Sequence, residues 1–366
     1  MIQLNIDCEG PITQNDNAFE LCEELIPQGG DFFARVSKYD DYLADVEKRP
    51  GYKAGDTLKL VLPFLKAFGA TNKYMEEFSE RTLVLLPGAQ KMLPKVAEMM
   101  PTYIISTSYA PYLDALCKHT GFPKKQVYCT DVDIDRYSLS DRERELLEKF
   151  LNEIIKMDLL SWPDGANDSS DLTPGNREIL ARLNQIFWGE ISNMAIGRLF
   201  DDVNPIGGVE KARAVENSLE ETSNYLSDVF YVGDSITDVQ ALELVRKSGG
   251  VALSFNGNSY AVKAAQFACI SGSTLIIATL AELLMKNSSL LEEILLKNDG
   301  RLEGGDLLQK LHEINADLPF LDELGSLGSD DMPRLFLVEK ADLPQLIEES
   351  EFMRKNVRGV SVGNLG

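Results

Sequence analysis

The sequence predicts a doubly wound, mainly parallel α/β core that carries a helical cap, a second helical insertion and a helical C-terminal extension. Three observations carry this reading. Short apolar segments at residues 1–6, 103–105, 229–232 and 251–253 each run into polar or acidic turn residues, as buried strands do at their carboxyl ends. Segments with helical apolar spacing separate them, and strands alternating with helices build parallel sheets. The chain has 366 residues, too many for one small core, so the core must carry insertions or be joined by further units.

Ile2, Leu4 and Ile6 alternate along the first strand before Asp7, Cys8, Glu9 and Gly10, so two acids stand where the strand gives way to a tight turn. Ligands of open α/β sheets collect outside such strand ends. Residues 14–85 read as helical, with apolar spacing at Ala18, Phe19, Leu21, Cys22 and Leu25 and again from Leu58 to Leu65, and form a cap inserted after the first strand. Pro87 and Gly88 open a helix over 89–99, and Tyr103, Ile104 and Ile105 lead into Ser106, Thr107 and Ser108. A helix over 112–119 stops at Gly121, and a strand over 127–134 follows. Asp131, Asp133 and Asp135 share one face of that strand by alternation, which reads as a solvated face and not as a metal site.

Ser140 and Glu143 have capping-box spacing and open a helix to about residue 157. After the polar stretch 163–174, Ile179, Leu180, Leu183, Ile186, Phe187 and Trp188 form a packed helical stripe. Lys211 stands at the start of a helix opened by Gly207 and Gly208. The apolar run 229–232 ends in Gly233, Asp234 and Ser235, with Asp238 four positions beyond Asp234, a spacing that turns both acids to one side of a cleft. Residues 267–270 read as the last strand, and only helices are expected beyond about Thr274. The expected division is therefore a core over 1–13, 86–135 and 201–282, a cap over 14–85, an insertion over 136–200 and a helical extension over 283–366.

Composition narrows the function. A net charge of −22 repels phosphate backbones and anionic lipid surfaces, so neither nucleic acid nor membrane is an expected partner. A phosphorylated small molecule stays open, because a cation and a few basic groups can reverse the sign inside a pocket. Five scattered cysteines without a CxxC pair and only two histidines argue against zinc and for a reducing compartment. No basic segment precedes an apolar stretch at the N-terminus and no apolar run spans a bilayer, so a cytoplasmic location is expected.

Four features stand in order: Asp7 with Glu9, Ser106 with Thr107 after an apolar strand, Lys211 at a helix start, and Asp234 with Asp238. Each alone is commonplace, as a surface lysine, a helix cap or a first-turn acid. Together they resemble the haloacid dehalogenase-like superfamily of phosphohydrolases, over roughly residues 1–13, 86–135 and 201–272 and most strongly at Asp234 and Asp238. The cap after the first motif resembles the phosphoserine phosphatase-like branch, and the opening is similar to predicted archaeal phosphohydrolases.

The resemblance implies a magnesium-dependent phosphomonoester hydrolase acting on a small phosphorylated metabolite. Asp7 would be the nucleophile that forms an aspartyl-phosphate, and Glu9 the general acid, where the family usually has Asp. Ser106, Thr107 and Lys211 would bind the phosphoryl group. Asp7, the backbone carbonyl of Glu9, Asp234 and Asp238 would hold Mg2+. Arg35, Lys73 and Arg81 are the cap cations considered for specificity. The alternative is a weak or inactive regulatory or assembly subunit on the same fold, binding a protein partner through its C-terminal extension, since fold does not fix function.

Overall fold

A computed structural model describes residues 1–363 of the chain. Six strands are parallel: β1 (Gln3–Ile6), β2 (Thr102–Tyr109), β3 (Val127–Thr130), β4 (Val229–Gly233), β5 (Val251–Phe255) and β6 (Phe267–Ile270). Two more, β7 (Arg301–Glu303) and β8 (Arg334–Leu337), add to the β6 edge antiparallel, giving the order β3-β2-β1-β4-β5-β6-β8-β7. β1 lies between β2 and β4, so the strand order reverses at its tip. Open α/β sheets bind ligands at such a switch point.

The alternation of β1 separates two different supports. Ile2, Leu4 and Ile6 join the apolar core under the helix Ala89–Met99, together with Leu93, Val96 and Phe230. Gln3 and Asn5 face the other way and are equally buried. Gln3 Nε2 and Asn5 Nδ2 both donate to Ser218 Oγ, at 2.7 and 2.9 Å, and Thr222 Oγ1 donates to Gln3 Oε1 at 2.6 Å. These bonds satisfy the buried amides and fasten the helix Val209–Thr222 to β1, which sets where that helix presents its first turn.

The segments 14–85 and 136–200 are separate in sequence but share one hydrophobic core, with Phe32 on Phe64 in the first and Phe64 against Phe187 of the second. The capping box of Ser140 and Glu143 is formed and starts the helix Asp141–Ile154. The acid triplet after β3 is arranged otherwise than alternation suggests. β3 ends at Thr130, and the chain then leaves the sheet. Asp133 accepts from Asn72 Nδ2 at 2.6 Å, and Asp135 accepts from the Asn72 backbone N–H at 3.1 Å, so both tie the cap to this loop.

Beyond Thr274 the chain is not all helix. β7 has three residues with a single buried apolar one, Leu302, and β8 has four, so neither is long enough to show a period in sequence. The helix Leu343–Arg358 packs Leu346 and Met353 on Ile270 and Phe336. The last positions of the expected extension, 364–366, lie outside the described residues. Among the described residues no helix is long and apolar enough to cross a membrane, and all five cysteines are free.

Candidate active site

β1 delivers Asp7 to the switch point, and the backbone fixes it there. Asp7 N–H donates to Val232 O at 2.9 Å, and Asp7 Oδ1 accepts from Cys8 N–H at 2.7 Å. Its other oxygen, Oδ2, is 2.6 Å from Lys211 Nζ, presented by the first turn of the helix that Gln3 and Asn5 fasten to β1. Burial pushes Asp7 up to about 8, with Asp238 adding to the effect and Lys211 opposing it. Burial works against the charge of Lys211, but Asp238 and Asp7 hold the ammonium above its ordinary value.

β4 delivers Asp234, and the turn after it delivers Asp238. Asp238 Oδ2 accepts from the N–H groups of Asp234 and Ser235 at 3.0 and 3.1 Å, while Oδ1 accepts from Lys211 Nζ at 2.7 Å and Tyr231 Oη at 2.8 Å. Burial alone would raise this carboxyl, and those donors, Lys211 foremost, hold it below the usual range. Both oxygens of Asp238 are thus already engaged by the protein. Carboxylate oxygens of Asp7, Asp234 and Asp238 lie within 4.8 Å of one another, a set of hard donors of the kind a divalent cation takes. Gly10, at φ 103°, makes room for the set, since a Cβ there would run into the Asp234 carboxylate.

Glu9 faces the same cavity. Its Oε1 accepts from Asn17 N–H at 2.8 Å, the first residue of the cap helix Asn17–Leu25. Burial, reinforced by Asp16, pushes its carboxyl well above the ordinary range against Arg358, Asn17 and Ser108. Ser106 is buried and accepts from Ser108 N–H at 3.2 Å, and Thr107 Oγ1 donates to Ile206 O at 3.0 Å. Thr107 and Ser108 line the cavity wall and Ser106 stands behind it.

Two residues that sequence reasoning missed complete the wall. Arg354 and Arg358, from the helix Leu343–Arg358, both reach Asp234 Oδ2, Arg358 through Nη1 at 3.1 Å, and Arg354 Nη1 also donates to Asp234 O at 3.1 Å. Leu346, Ser350, Arg354 and Arg358 recur every four positions, all four buried, so a stripe beginning at a leucine was the available signal. The cap cations stand elsewhere. Arg35 pairs with Asp31, Lys73 with Glu77 and Arg81 with Glu24, all away from the cavity.

The cap contributes Phe33, Ser37, Asp40, Asp41 and the Gly55 loop to the lining instead, since Lys73 and Arg81 are exposed and Arg35 is held by Met157 O of the insertion at 2.6 Å. Gly55 lies so close to Thr107 and Thr237 that a Cβ would meet both methyl groups. The cavity volume is about 90 Å³, below the roughly 300–1,000 Å³ of ordinary ligand sites, so the cap packs close over the carboxylates.

Neither a protein-family model nor a curated protein matches the sequence. Among solved structures, the chain is similar to gene product AF1437 from Archaeoglobus fulgidus, at 28% identity over 100% of this chain and 99% of that one, with a TM-score of 0.75. It also aligns with a HAD family hydrolase from Salmonella enterica serovar Typhi, at 12% identity over 70% of this chain and 62% of that one, with a TM-score of 0.41. A phosphoserine phosphatase solved as a phospho-aspartyl intermediate analogue aligns at 12% identity over 74% and 92% of the two chains, with a TM-score of 0.42. The full-length similarity to the archaeal protein extends through cap, insertion and C-terminal extension alike, and the chain has the mainly parallel α/β architecture that the order of its motifs implied.

Proposed function

We propose that the protein is a phosphomonoester hydrolase that works through an aspartyl-phosphate on Asp7. The observation that carries this reading is the convergence of Asp7, Lys211, Asp234 and Asp238, from three distant parts of the chain, into one buried cluster at the switch point. In the first step an Asp7 oxygen bonds to phosphorus as the bond to the leaving oxygen breaks, and Glu9 passes its proton to that oxygen. In the second, Glu9 takes a proton from water as the water oxygen displaces Asp7, releasing phosphate. Lys211 stays beside the transferring group as a fixed, buried positive charge through both steps.

The donor set fits magnesium. Asp7, Asp234 and the Glu9 carbonyl would hold the ion, and Asp238, whose oxygens already have donors, would position Lys211 and the Asp234 backbone beside it. When bound, the ion would supply charge neutralisation for the phosphoryl oxygens. A small phosphorylated metabolite is the substrate class we propose, with the phosphoryl group beside Asp7 and Lys211. The test is a screen of phosphomonoesters with magnesium, run in parallel on Asp7→Asn. Release of phosphate by wild type and not by the variant supports the reading, and equal release by both overturns it.

One observation favours a second reading, a regulatory or assembly subunit that binds a protein partner through the C-terminal extension. Asp234 is already neutralised by two guanidinium groups from that extension. Absence of turnover, with no binding of magnesium to the wild type, would select it.

A further inference from the structure

Arg358 ends the helix Leu343–Arg358 and is buried, with each of its three guanidinium nitrogens engaged. Nη1 donates to Asp234 Oδ2 at 3.1 Å, Nε to Gln14 O at 3.1 Å and Nη2 to Asn15 O at 2.7 Å. Gln14 and Asn15 are where the cap segment 14–85 leaves the core, and the returning chain runs beside them. Gln14 N–H donates to Val84 O and Leu86 N–H to Ile12 O, both at 2.9 Å. Asn15 pins the two crossings together, with Nδ2 on Thr82 O at 2.9 Å and Oδ1 accepting from Val84 N–H at 2.7 Å. One side chain thus joins the carboxylate of Asp234 to the hinge of the cap.

The helix that carries Arg358 belongs to the core, where Ser350 Oγ donates to Gly257 O at 2.7 Å and Leu346 and Met353 pack on Ile270 and Phe336. The hinge is therefore tied to a support outside the cap. A divalent cation on Asp234 competes with Nη1 for a hard oxygen and repels the guanidinium at close range. The guanidinium is one planar fork, so Nη1 cannot leave Asp234 without disturbing Nε and Nη2 at the hinge.

Resting on the metal site of the phosphatase reading above, we propose that Arg358 is a positioning residue that couples Asp234 to the cap, holding the hinge to the core until a divalent cation binds and loosening it then. The cation thus enters first and frees the cap to admit the substrate. The coupling is reciprocal, so a tightly held hinge also lowers the affinity for the cation.

Hydrogen exchange of the full-length protein, followed by mass spectrometry with and without magnesium, reads the hinge in the peptides that contain Gln14 and Val84. In the wild type magnesium should speed exchange there several-fold, whereas ligand binding that only stabilises a fold slows it. In Arg358→Gln the hinge should exchange about tenfold faster before any magnesium is added, the size expected from losing charge-assisted hydrogen bonds, and magnesium should add nothing. Ile206 N–H donates to Thr130 Oγ1 at 3.0 Å where the insertion rejoins the core, has no bond to Arg358, and should keep its wild-type rate. Should the glutamine variant fail to fold, Arg358→Lys, whose single nitrogen replaces three, decides on the same rates.

Unchanged or slower hinge exchange in the magnesium-loaded wild type overturns the coupling and leaves the hydrolase reading intact. So does a folded Arg358 variant whose hinge exchanges at the wild-type rate or still responds to magnesium. An equal rise at the hinge and at Ile206 assigns Arg358 to general stability and overturns it too. Failure of the wild type to bind magnesium in a calorimetric titration overturns the coupling together with the metal site on which it rests.

Discussion

Lys211 Nζ stands 2.7 Å from Asp238 Oδ1, and both side chains are wholly shut off from solvent. Removing one partner of such a pair strands the other, at about 3–5 kcal/mol. Asp7 remains to Lys211 when Asp238 is changed, so Asp238→Asn should lose about 3 kcal/mol in urea unfolding, the lower end of that range. Asp234→Ala, in contrast, should weaken magnesium binding strongly and Asp238→Asn less, because both oxygens of Asp238 already have protein donors. Equal losses of magnesium affinity in the two variants would assign Asp238 a direct role.

Gly10 offers a second separation of site from scaffold. Its positive φ strains any other residue, by roughly 1–3 kcal/mol, and a Cβ would also push on Asp234. Gly121 has φ 75° with open space around it, so Gly121→Ala carries the strain without the collision. Both alanine variants should unfold at lower urea, but only Gly10→Ala should lose magnesium affinity. A loss of affinity in Gly121→Ala as well would trace the effect to general destabilisation.

What the sequence revealed follows from how each residue is placed. Asp7, Asp234 and Asp238 were legible because they follow short apolar runs whose ends mark strand tips, and Lys211 because two glycines open its helix. Their mutual distances were not legible, since these depend on buried bonds from Gln3 and Asn5 that alternate with the apolar residues and look like a solvated face. Arg354 and Arg358 were missed because an arginine on a late helix is ordinarily a surface charge, and only the stripe begun by Leu346 distinguishes them. β7 escaped because three residues cannot show a period. The single cap core was hidden because Phe64 and Phe187 meet across more than a hundred positions.

Asp40 makes the cap sensitive to pH. It is buried, accepts from Tyr52 Oη at 2.6 Å and from Gly55 N–H at 2.9 Å, and burial raises it to about 8 against these donors. The folded state therefore keeps a proton that the unfolded chain releases near the ordinary carboxyl value. Stability from this group is full below about 4 and is lost as pH rises toward about 8. Urea midpoints should fall between pH 5 and pH 8, and Asp40→Asn, which keeps the shape and cannot ionise, should flatten that fall. An unchanged slope in Asp40→Asn would assign the pH dependence to other acids.

Glu9 is where the chain departs from the family it resembles, and the structure gives the extra methylene a use. The longer arm lets Oε1 accept from Asn17 N–H, the first residue of a cap helix, so the acid is held by the element that closes the cavity. Aspartate is shorter by one carbon–carbon bond, about 1.5 Å, and would have to give up that hydrogen bond or pull the cap inward. A displacement of this order can cost about a hundredfold in rate. Glu9→Asp should therefore lower turnover by up to that factor with every substrate, since it disturbs cap closure as well as proton transfer. Glu9→Gln keeps the acceptor for Asn17 and loses only the proton, so its loss should be large for a poor leaving alcohol and small for an activated aryl phosphate. The pH profile carries the same signature. Burial holds Glu9 protonated beyond the ordinary range, so wild-type turnover of a poor leaving group should decline as pH rises through the raised value, and that limb should be absent in Glu9→Gln. Equal rates for wild type and Glu9→Gln on a poor leaving group, at any pH, would remove Glu9 from the chemistry and leave it as a latch for the cap.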